Sequence, residues 1–526
     1  MTPEKLEALW QLAQQHEDAG SLDAARGAYL EILAGSPRQI MVQIRLSELE
    51  QRAGQYRAAL SHALQAADTI TLTMRWEGLA FVTANLLIFD ERDLVRRLIV
   101  QSDWNDMRVL AQSAVLSQQL WLCGDHEAAL SMLDIARRRG AVDHRLAYSR
   151  AMALQQLGRI GEATAAFEEC IRISPGFAPA HWSLAYHAAS VPQGARVARI
   201  RSTDAGNQDE LGRAMLHYAL YKELDDAGDR NAAWSELEAG AAIMRQAVGT
   251  PAHAPSVDTL AMPWAPQARE AVQADAGGGH TPIFIVGMPR TGTTLLSRIV
   301  GGHPLVADAG ELNALENSVS ECLDRFVEFP LQPADLAQLH GIDPMAVADG
   351  YMRRTRGYYG GYSTHLIDKN PMNVFAAGLM AGALPDAKIL CLVRGAMDTC
   401  YSNLRQLFQN GAFAYSYDQI QLAERYATFR GVVEQCQAQL PANFHAVSYE
   451  SLVAYPEVTA KAVLEFCGLD FDPAYVDITR NLNPSATASS TQIRESIHTD
   501  AVGEWQRYEA ELQPLQARLR ELGVAS

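Results

Sequence analysis

The chain has 526 residues, 48% hydrophobic and 20% charged, which suits several well-buried cores and excludes a disordered protein. Its net charge of −17 excludes a general nucleic-acid coat and leaves room only for a local basic pocket that takes a small anion. No apolar run approaches the roughly 20 residues of a spanning helix, MTPEKLEALW has no signal-peptide pattern, and the seven Cys form no CxxC pair, so a cytoplasmic protein with reduced thiols is expected rather than a secreted, membrane-spanning or zinc-finger protein.

The first half repeats. Gly20 and Gly54 lie 34 residues apart, as do Gly124 and Gly158, and each separates two helical patterns. Five residues after each comes Ala (Ala25, Ala59, Ala129, Ala163), and four further on Tyr29, Ala63, Leu133 or Phe167. Pro37 and Pro175 close their units. This spacing predicts helix–turn–helix units with small residues where the helices cross. The segments GRIGEATAAFEECIRISP and GSLDAARGAYLEILAGSP resemble tetratricopeptide repeats, and AGDRNAAWSELEAG adds a later unit. Residues 6–246 are therefore expected to form an all-α TPR-like solenoid of about six or seven helix pairs. Such a solenoid offers a face for a peptide or protein; packing against the rest of the chain, or dimerisation, is the alternative. Pro251, Pro255, Pro263, Pro266 and Gly277–Gly279 mark 247–280 as a linker.

The second part, 281–526, opens with PIFIVGMPRTGTTLLSRIV. An apolar strand, a Gly/Pro loop and a helix start together make an anion cradle of backbone N–H groups and helix dipole. Gly287, Gly292 and Thr294 have the spacing of a nucleotide P-loop, but Thr293 stands where its Lys is required, which argues against ATP or GTP hydrolysis. Arg290 supplies positive charge from another position in the loop. Apolar strands are expected at 282–287, 364–368, 387–393 and 444–448, giving an α/β, P-loop-like domain around a central parallel sheet.

GMPRTGTT resembles the phosphosulfate loop of sulfotransferases that use 3′-phosphoadenosine 5′-phosphosulfate (PAPS). The resemblance continues in order through GELNAL, DKNPMN, ILCLVRGAMDTCYSNL, VSYESLVAYPE and TASSTQIRESIHTDAVGEWQRY. The set looks like a bacterial branch whose well-understood relatives are the protein-tyrosine sulfotransferases. It implies a PAPS-dependent transferase that needs no metal, because the sulfuryl group carries less charge than a phosphoryl group and fixed cations suffice.

Residue by residue, the resemblance implies that Pro289, Arg290, Thr291, Gly292, Thr293 and Thr294 cradle the 5′-phosphosulfate. Glu311 matches the general base, against the alternative of a helix-start carboxylate stabilised by the dipole. Lys369, at the end of a short strand, matches the lysine that stabilises the bridging oxygen; a solvent-facing loop Lys is the alternative. Arg394 and Ser402 match the holders of the 3′-phosphate, and Tyr449 matches a cofactor-contacting Tyr or else is a core aromatic. Ser489 matches a transition-state serine, and Ser490, Gln492, Ile493 and Arg494 fall on a segment that covers the nucleotide. Four positions depart from the pattern: Gly395 and Met397 replace charged residues, Gln406 stands where a second basic contact is expected, and Glu504 puts an acid where relatives are basic.

The expected function is sulfuryl transfer to an acceptor hydroxyl, tyrosine of a peptide or protein being one candidate. A carbohydrate or small molecule is the alternative acceptor, and a non-catalytic TPR scaffold with a nucleotide-binding domain is the rival reading. The 303–363 insert is expected to shape the acceptor site; its Arg353, Arg354, Tyr358, Tyr359 and Tyr362 are expected on a solvated helix face, with contact to the substrate as the alternative.

Overall fold

The computed structural model describes residues 1–140, 142–187, 194–203, 206, 208–249, 280–329, 331, 333–339, 341–409, 411–481 and 496–524. The expected linker at 247–280 lies outside them, except for 247–249 and His280. The chain divides into two compact units, one of Met1–Ala141, Leu312–Glu328 and Gln338–Gly357, the other of Val142–Glu311, Phe329–Ala337 and Tyr358–Ser526.

In the first unit the helices come in consecutive pairs: Pro3–Asp18 with Leu22–Gly35, Ile40–Arg52 with Tyr56–Thr73, Leu79–Ile88 with Arg92–Gln101, and Ser113–Leu122 with His126–Arg138. The periodic glycines explain the pairing. Gly20, Gly54 and Gly124 all adopt positive φ, which glycine does without steric cost. The following N–H then reaches back five residues to a helix-end carbonyl, in Ser21 to His16 (2.8 Å), Gln55 to Glu50 (2.8 Å) and Asp125 to Leu120 (2.9 Å). The third turn has no glycine. Asp90 takes its place at φ 56°, and Glu91 N–H reaches Leu86 (3.2 Å). Ala25, Ala59 and Ala129 are buried where the helices cross, as their size predicts.

The insert contributes two helices to this unit, Ala314–Leu323 and Pro344–Thr355. The Tyr56 hydroxyl donates to Asn317 Oδ1 (2.7 Å), and the Phe326 ring meets Tyr56 and Phe89 at 5.0 and 6.0 Å. Arg57 caps the first of these helices through the Glu321 and Cys322 carbonyls. Arg354 corrects the expectation of a solvated helix face. It is buried, donates to the Tyr56 hydroxyl and the Gly350 carbonyl (both 3.2 Å), and pairs with Glu321 at 2.9 Å. Arg353 is half-exposed and pairs with Glu321 as well; Tyr362 is exposed.

The second unit holds the helix pair His144–Gln156 and Ile160–Ile173, the helix Ala178–His187, the pair Glu210–Asp226 and Arg230–Val248, and the sheet. Gly158 and Gly228 make the same left-handed turns as in the first unit. The sheet has five strands: β1 Thr281–Gly287, β2 Val306–Asp308, β3 His365–Asp368, β4 Lys388–Val393 and β5 Phe444–Ser448. Their order is β2-β3-β1-β4-β5 and every pairing is parallel. The fold class is thus helix–turn–helix repeats followed by an α/β part with a central parallel sheet. Of the four expected strands, β1 starts one residue earlier, β3 and β4 each start one residue later, and β5 matches at both ends. β2 went unanticipated because three residues carry no periodic signal.

Parallel strands buried on both faces need continuous apolar runs, which β1 and β4 supply. Ile283, Ile285, Leu390 and Leu392 pack on one face against Leu296 and Ile299 of helix Thr293–Val300 and Val463 and Leu464 of helix Pro456–Phe466. The register sets Gly287 beside Leu392 and Val393 beside Ser448, so the strand ends share one edge. All seven cysteines are free thiols, and no helix among the described residues is long and apolar enough to cross a membrane.

Arg354 supports a direct stability test. Arg354→Met removes one of two guanidinium partners of Glu321, leaving Arg353, and the buried donor to the Tyr56 hydroxyl, which keeps Asn317, and should lower the urea unfolding free energy by about 1–3 kcal/mol. A change below about 0.5 kcal/mol, the level of an ordinary surface substitution, would contradict the buried arrangement.

Candidate active site at the carboxyl edge of the sheet

Each strand of a parallel sheet delivers the residue after it to the same edge, which is where α/β proteins place ligands. Here β1 leads into the loop 288–292, β2 into Glu311, β3 into Lys369, β4 into Arg394 and β5 into Tyr449.

The loop is closed by its own side chains and by the helix Ala396–Leu404. The Thr291 hydroxyl donates to the Met288 carbonyl at 2.8 Å, and Asn403 Nδ2 donates to the Pro289 carbonyl at 2.7 Å. Arg290 takes a left-handed conformation (φ 64°), unusual for a residue with a Cβ. Gly292 is the N-cap of helix Thr293–Val300 at φ 101°, and a Cβ there would lie 2.6 Å from the Tyr449 ring. Only glycine satisfies both conditions. At Gly287 a Cβ would meet the Leu392 carbonyl at 2.7 Å, so this loop hugs β4. Thr293 and Thr294 fill the first buried turn of the helix.

Arg394 is buried and heavily held. Its Nη1 donates to the Arg290 carbonyl (3.3 Å), its Nη2 to the Ala501 carbonyl, and Nη2 lies 3.9 Å from Asp398. The guanidinium sits 4.7 Å from the centre of the Tyr449 ring, a cation–π distance. Its Nε–H, also buried, has no hydrogen-bond partner among the described residues. The carbonyl of Arg394 accepts from Tyr426 (2.8 Å) and Thr399 (3.2 Å). Gly395 and Met397 leave this support intact, because Asp398 and the Glu450 bond to Gly395 N–H (2.8 Å) supply it. Ser402 is buried on the same helix, eight residues on.

A short contact joins Lys369 Nζ to Glu311 Oε1. Lys369 is almost wholly buried and its backbone N–H is held by the Gly310 carbonyl at 2.8 Å. Glu311 is largely exposed and lies in the turn after β2, before the helix that starts at Ala314, so it is not a helix-start carboxylate. Lys369 likewise is not a solvent-facing loop residue. Tyr449 is buried at the start of a short helix, between Arg394 and Gly292, and so is both core aromatic and site wall.

Gln406 is buried and turned toward the Leu407 carbonyl at 3.3 Å. The neighbouring Arg405 forms a two-pronged pair with Glu504, both contacts 2.6 Å. The acid expected to oppose an anion is therefore held on a guanidinium. Burial and the adjacent Arg405 and Arg394 charges push the Arg290 pKa down to about 10, which marks a cluster of three guanidinium groups, with Asp398 beside Arg394 and Glu504 on Arg405. Arg405, Asn403 and Asp398 were missed in the sequence. Asn403 and Asp398 lie within the CLVRGAMDTCYSNL stretch, so only their roles escaped notice. Ser489, Ser490, Gln492, Ile493 and Arg494 lie outside the described residues.

A double phosphate ester with a sulfate fits these groups. The loop offers N–H donors at a helix start, and the buried Arg394 Nε–H has no partner among the described residues. No His, Cys, Asp or Glu cluster among the described residues is arranged to hold a metal ion.

Glu504 gives a pH test. Burial raises its pKa, but the Arg405, Arg507 and Arg394 charges outweigh that and leave it below the ordinary 4.5. A depressed carboxylate contributes stability above its unfolded pKa and loses it as pH falls through the folded value. Glu504→Gln should therefore be less stable than wild type near neutral pH by about 1–3 kcal/mol, with the gap closing as pH drops below 4.5. A gap that stays constant with pH would contradict the pair.

Comparison with known proteins follows the same line. Residues 282–473 match the model of a family described as the Sulfotransferase family. An uncharacterised protein of Aquifex aeolicus (strain VF5) is 29% identical over 271 residues, covering 48% of this chain and 34% of that protein. Protein-tyrosine sulfotransferase A of Caenorhabditis elegans is 26% identical over 245 residues, covering 44% of this chain and 64% of that protein. The chain thus spans about a third and just under two thirds of these relatives' lengths. Among solved structures, the sulfotransferase domain from the curacin biosynthetic pathway is similar over 46% of this chain and 96% of its own, at 16% identity and TM-score 0.30. A tetratricopeptide repeat protein from Parabacteroides merdae is similar over 46% of this chain and 93% of its own, at 12% identity and TM-score 0.35. Residues 282–473 form a domain of the sulfotransferase family.

Proposed function

We propose that the chain is a sulfotransferase that moves a sulfuryl group from PAPS to an acceptor hydroxyl. The observation that carries this reading is Arg394: a guanidinium buried at a strand end and bonded to the phosphate-type loop, whose Nε–H has no partner among the described residues. A P-loop hydrolase would instead carry Lys at position 293.

In this reading the donor supplies a sulfuryl group already activated on a phosphate. The backbone of Pro289–Thr294 and the Arg290 side chain hold the 5′ end. Arg394 and Ser402 hold the 3′-phosphate, and Tyr449 walls the site between Arg394 and the loop. Glu311 accepts the proton of the acceptor hydroxyl as the new oxygen–sulfur bond forms. Lys369 stabilises the electron pair left on the phosphate oxygen as the old bond breaks, and its contact with Glu311 keeps the two groups at one locus. Ser489 assists at the transferred group, while Ser490, Gln492, Ile493 and Arg494 cover the nucleotide. No metal is needed, because fixed cations meet the smaller charge of this transition state.

The acceptor we propose is a peptide or protein hydroxyl, with tyrosine first to be tried. The sequence division supports this: repeats at 6–246 suited to extended polypeptide, a linker at 247–280, and the transfer chemistry at 281–526. The relatives named protein-tyrosine sulfotransferases point the same way. We place the reaction in the cytoplasm.

The test separates binding from chemistry. 3′,5′-Diphosphoadenosine should raise the melting temperature where ATP at the same concentration does not. Glu311→Gln and Lys369→Ala should each lower kcat for sulfuryl transfer by about 10²–10³-fold, with Glu311→Gln keeping its diphosphoadenosine affinity within about threefold. Equal stabilisation by ATP, or full activity in both variants, would overturn the assignment.

A further inference from the structure

The helix Ala396–Leu404 carries Ser402, follows Arg394 and holds the loop through Asn403. It is only 9 residues long, too short to be stable by itself. Its last turn bonds the Tyr401 and Asn403 carbonyls to the Arg405 and Gln406 N–H groups (3.1 and 3.0 Å) and leaves the Leu404 and Arg405 carbonyls to other donors. Within the second unit, the helices Ala178–His187 and Glu210–Asp226 supply what is missing. The Tyr218 hydroxyl donates to the Leu404 carbonyl at 3.0 Å, and the Tyr186 hydroxyl to the Arg405 carbonyl at 3.1 Å. The Tyr221 hydroxyl shares a 2.9 Å hydrogen bond with that of Tyr401. The Tyr401 ring in turn lies 5.0 Å from the Arg405 guanidinium that Glu504 holds.

We propose that Tyr186, Tyr218 and Tyr221 are positioning residues of the donor site: they fasten the free end of helix Ala396–Leu404 so that Ser402, Asn403 and Arg394 keep register with the loop. The inference rests on the reading of that edge as a PAPS site. It assigns the helices at 178–187 and 210–226 a working part in the transferase, beyond the presentation of a polypeptide surface. Three features support it together. The Tyr186 and Tyr218 hydroxyls reach backbone atoms, so these two contacts are independent of the side chains at 404 and 405. Burial pushes all three hydroxyl pKa values above the ordinary tyrosine value, which keeps them protonated donors at any working pH. The opposite end of the same helix is fixed as firmly, by Glu450 on Gly395 and by Tyr426 on Arg394. A helix held at both ends has little freedom to slide past the loop.

The test uses the full chain with Tyr186→Phe/Tyr218→Phe, which removes two hydroxyls and keeps both rings. Two readouts are taken: the dissociation constant for 3′,5′-diphosphoadenosine by calorimetry, and hydrogen exchange of the 396–405 amides without ligand. Loss of two neutral hydrogen bonds should raise the dissociation constant about tenfold and speed exchange at 396–405 by about the same factor. Tyr29→Phe is the control, because it removes a buried tyrosine hydroxyl bonded to Glu17 in the first unit; it should lower the melting temperature and leave both readouts at wild-type values. A double variant that melts earlier yet keeps wild-type affinity and exchange would overturn the proposal, as would equal effects in the control. If wild type itself takes up no diphosphoadenosine, the PAPS reading fails, and unchanged exchange at 396–405 would overturn the fastening separately. Should the double variant not fold, Tyr221→Phe is read in the same way.

Discussion

The site depends on how one guanidinium is buried. Arg394 leaves β4 at the carboxyl edge, and nearly every element around it touches it. Its carbonyl is taken by Tyr426 and Thr399, its nitrogens by the Arg290 and Ala501 carbonyls, and its face by Tyr449. Tyr449 in turn rests on Gly292, whose missing side chain makes room for the ring. Burying a charge costs several kcal/mol unless bonds and counter-charges offset it, so these contacts form a set. Asp398 illustrates this. It faces Arg394 at 3.9 Å while accepting the Gly503 N–H at 2.8 Å, which ties the carboxyl-terminal segment to the loop.

Charge balance follows from the same constraint. A chain of net charge −17 keeps three guanidinium groups around one loop, and burial, followed by the Arg405 and Arg394 charges, lowers the pKa of Arg290. Glu504 offsets part of that charge by holding Arg405. Such a cluster is stable only because bonds to its surroundings offset the cost of burying its charges. Lys369 and Glu311 form a second, separate pair after the ends of β3 and β2.

Much of this was legible along the chain. Gly20, Gly54, Gly124 and Gly158 gave away the turns because positive φ restricts the residue type. The turn at Asp90 hid because an acid occupies it, and its buried carboxylate is held by Arg92 at 2.6 Å. Lys369, Arg394 and Tyr449 stood out as polar residues directly after apolar strands. β2 was too short to show a pattern. The helices at 314–323 and 344–355 belong with the first repeats through pairs such as Tyr56 with Asn317, some 261 residues apart, and no local period reports such a contact. Arg405 and Glu504 are 99 residues apart, so the sequence offered the acid without its partner, and the sign of its effect was read as opposition.

Arg394 is also where the account is most exposed to measurement. Calorimetric titration of 3′,5′-diphosphoadenosine into wild type and Arg394→Ala isolates the 3′-phosphate contact from any chemistry. The account predicts micromolar-range binding to wild type and a loss of at least about thirtyfold in the variant, the order expected for a charge-assisted contact. Binding of equal strength to both proteins, or no heat from folded wild type, would contradict it.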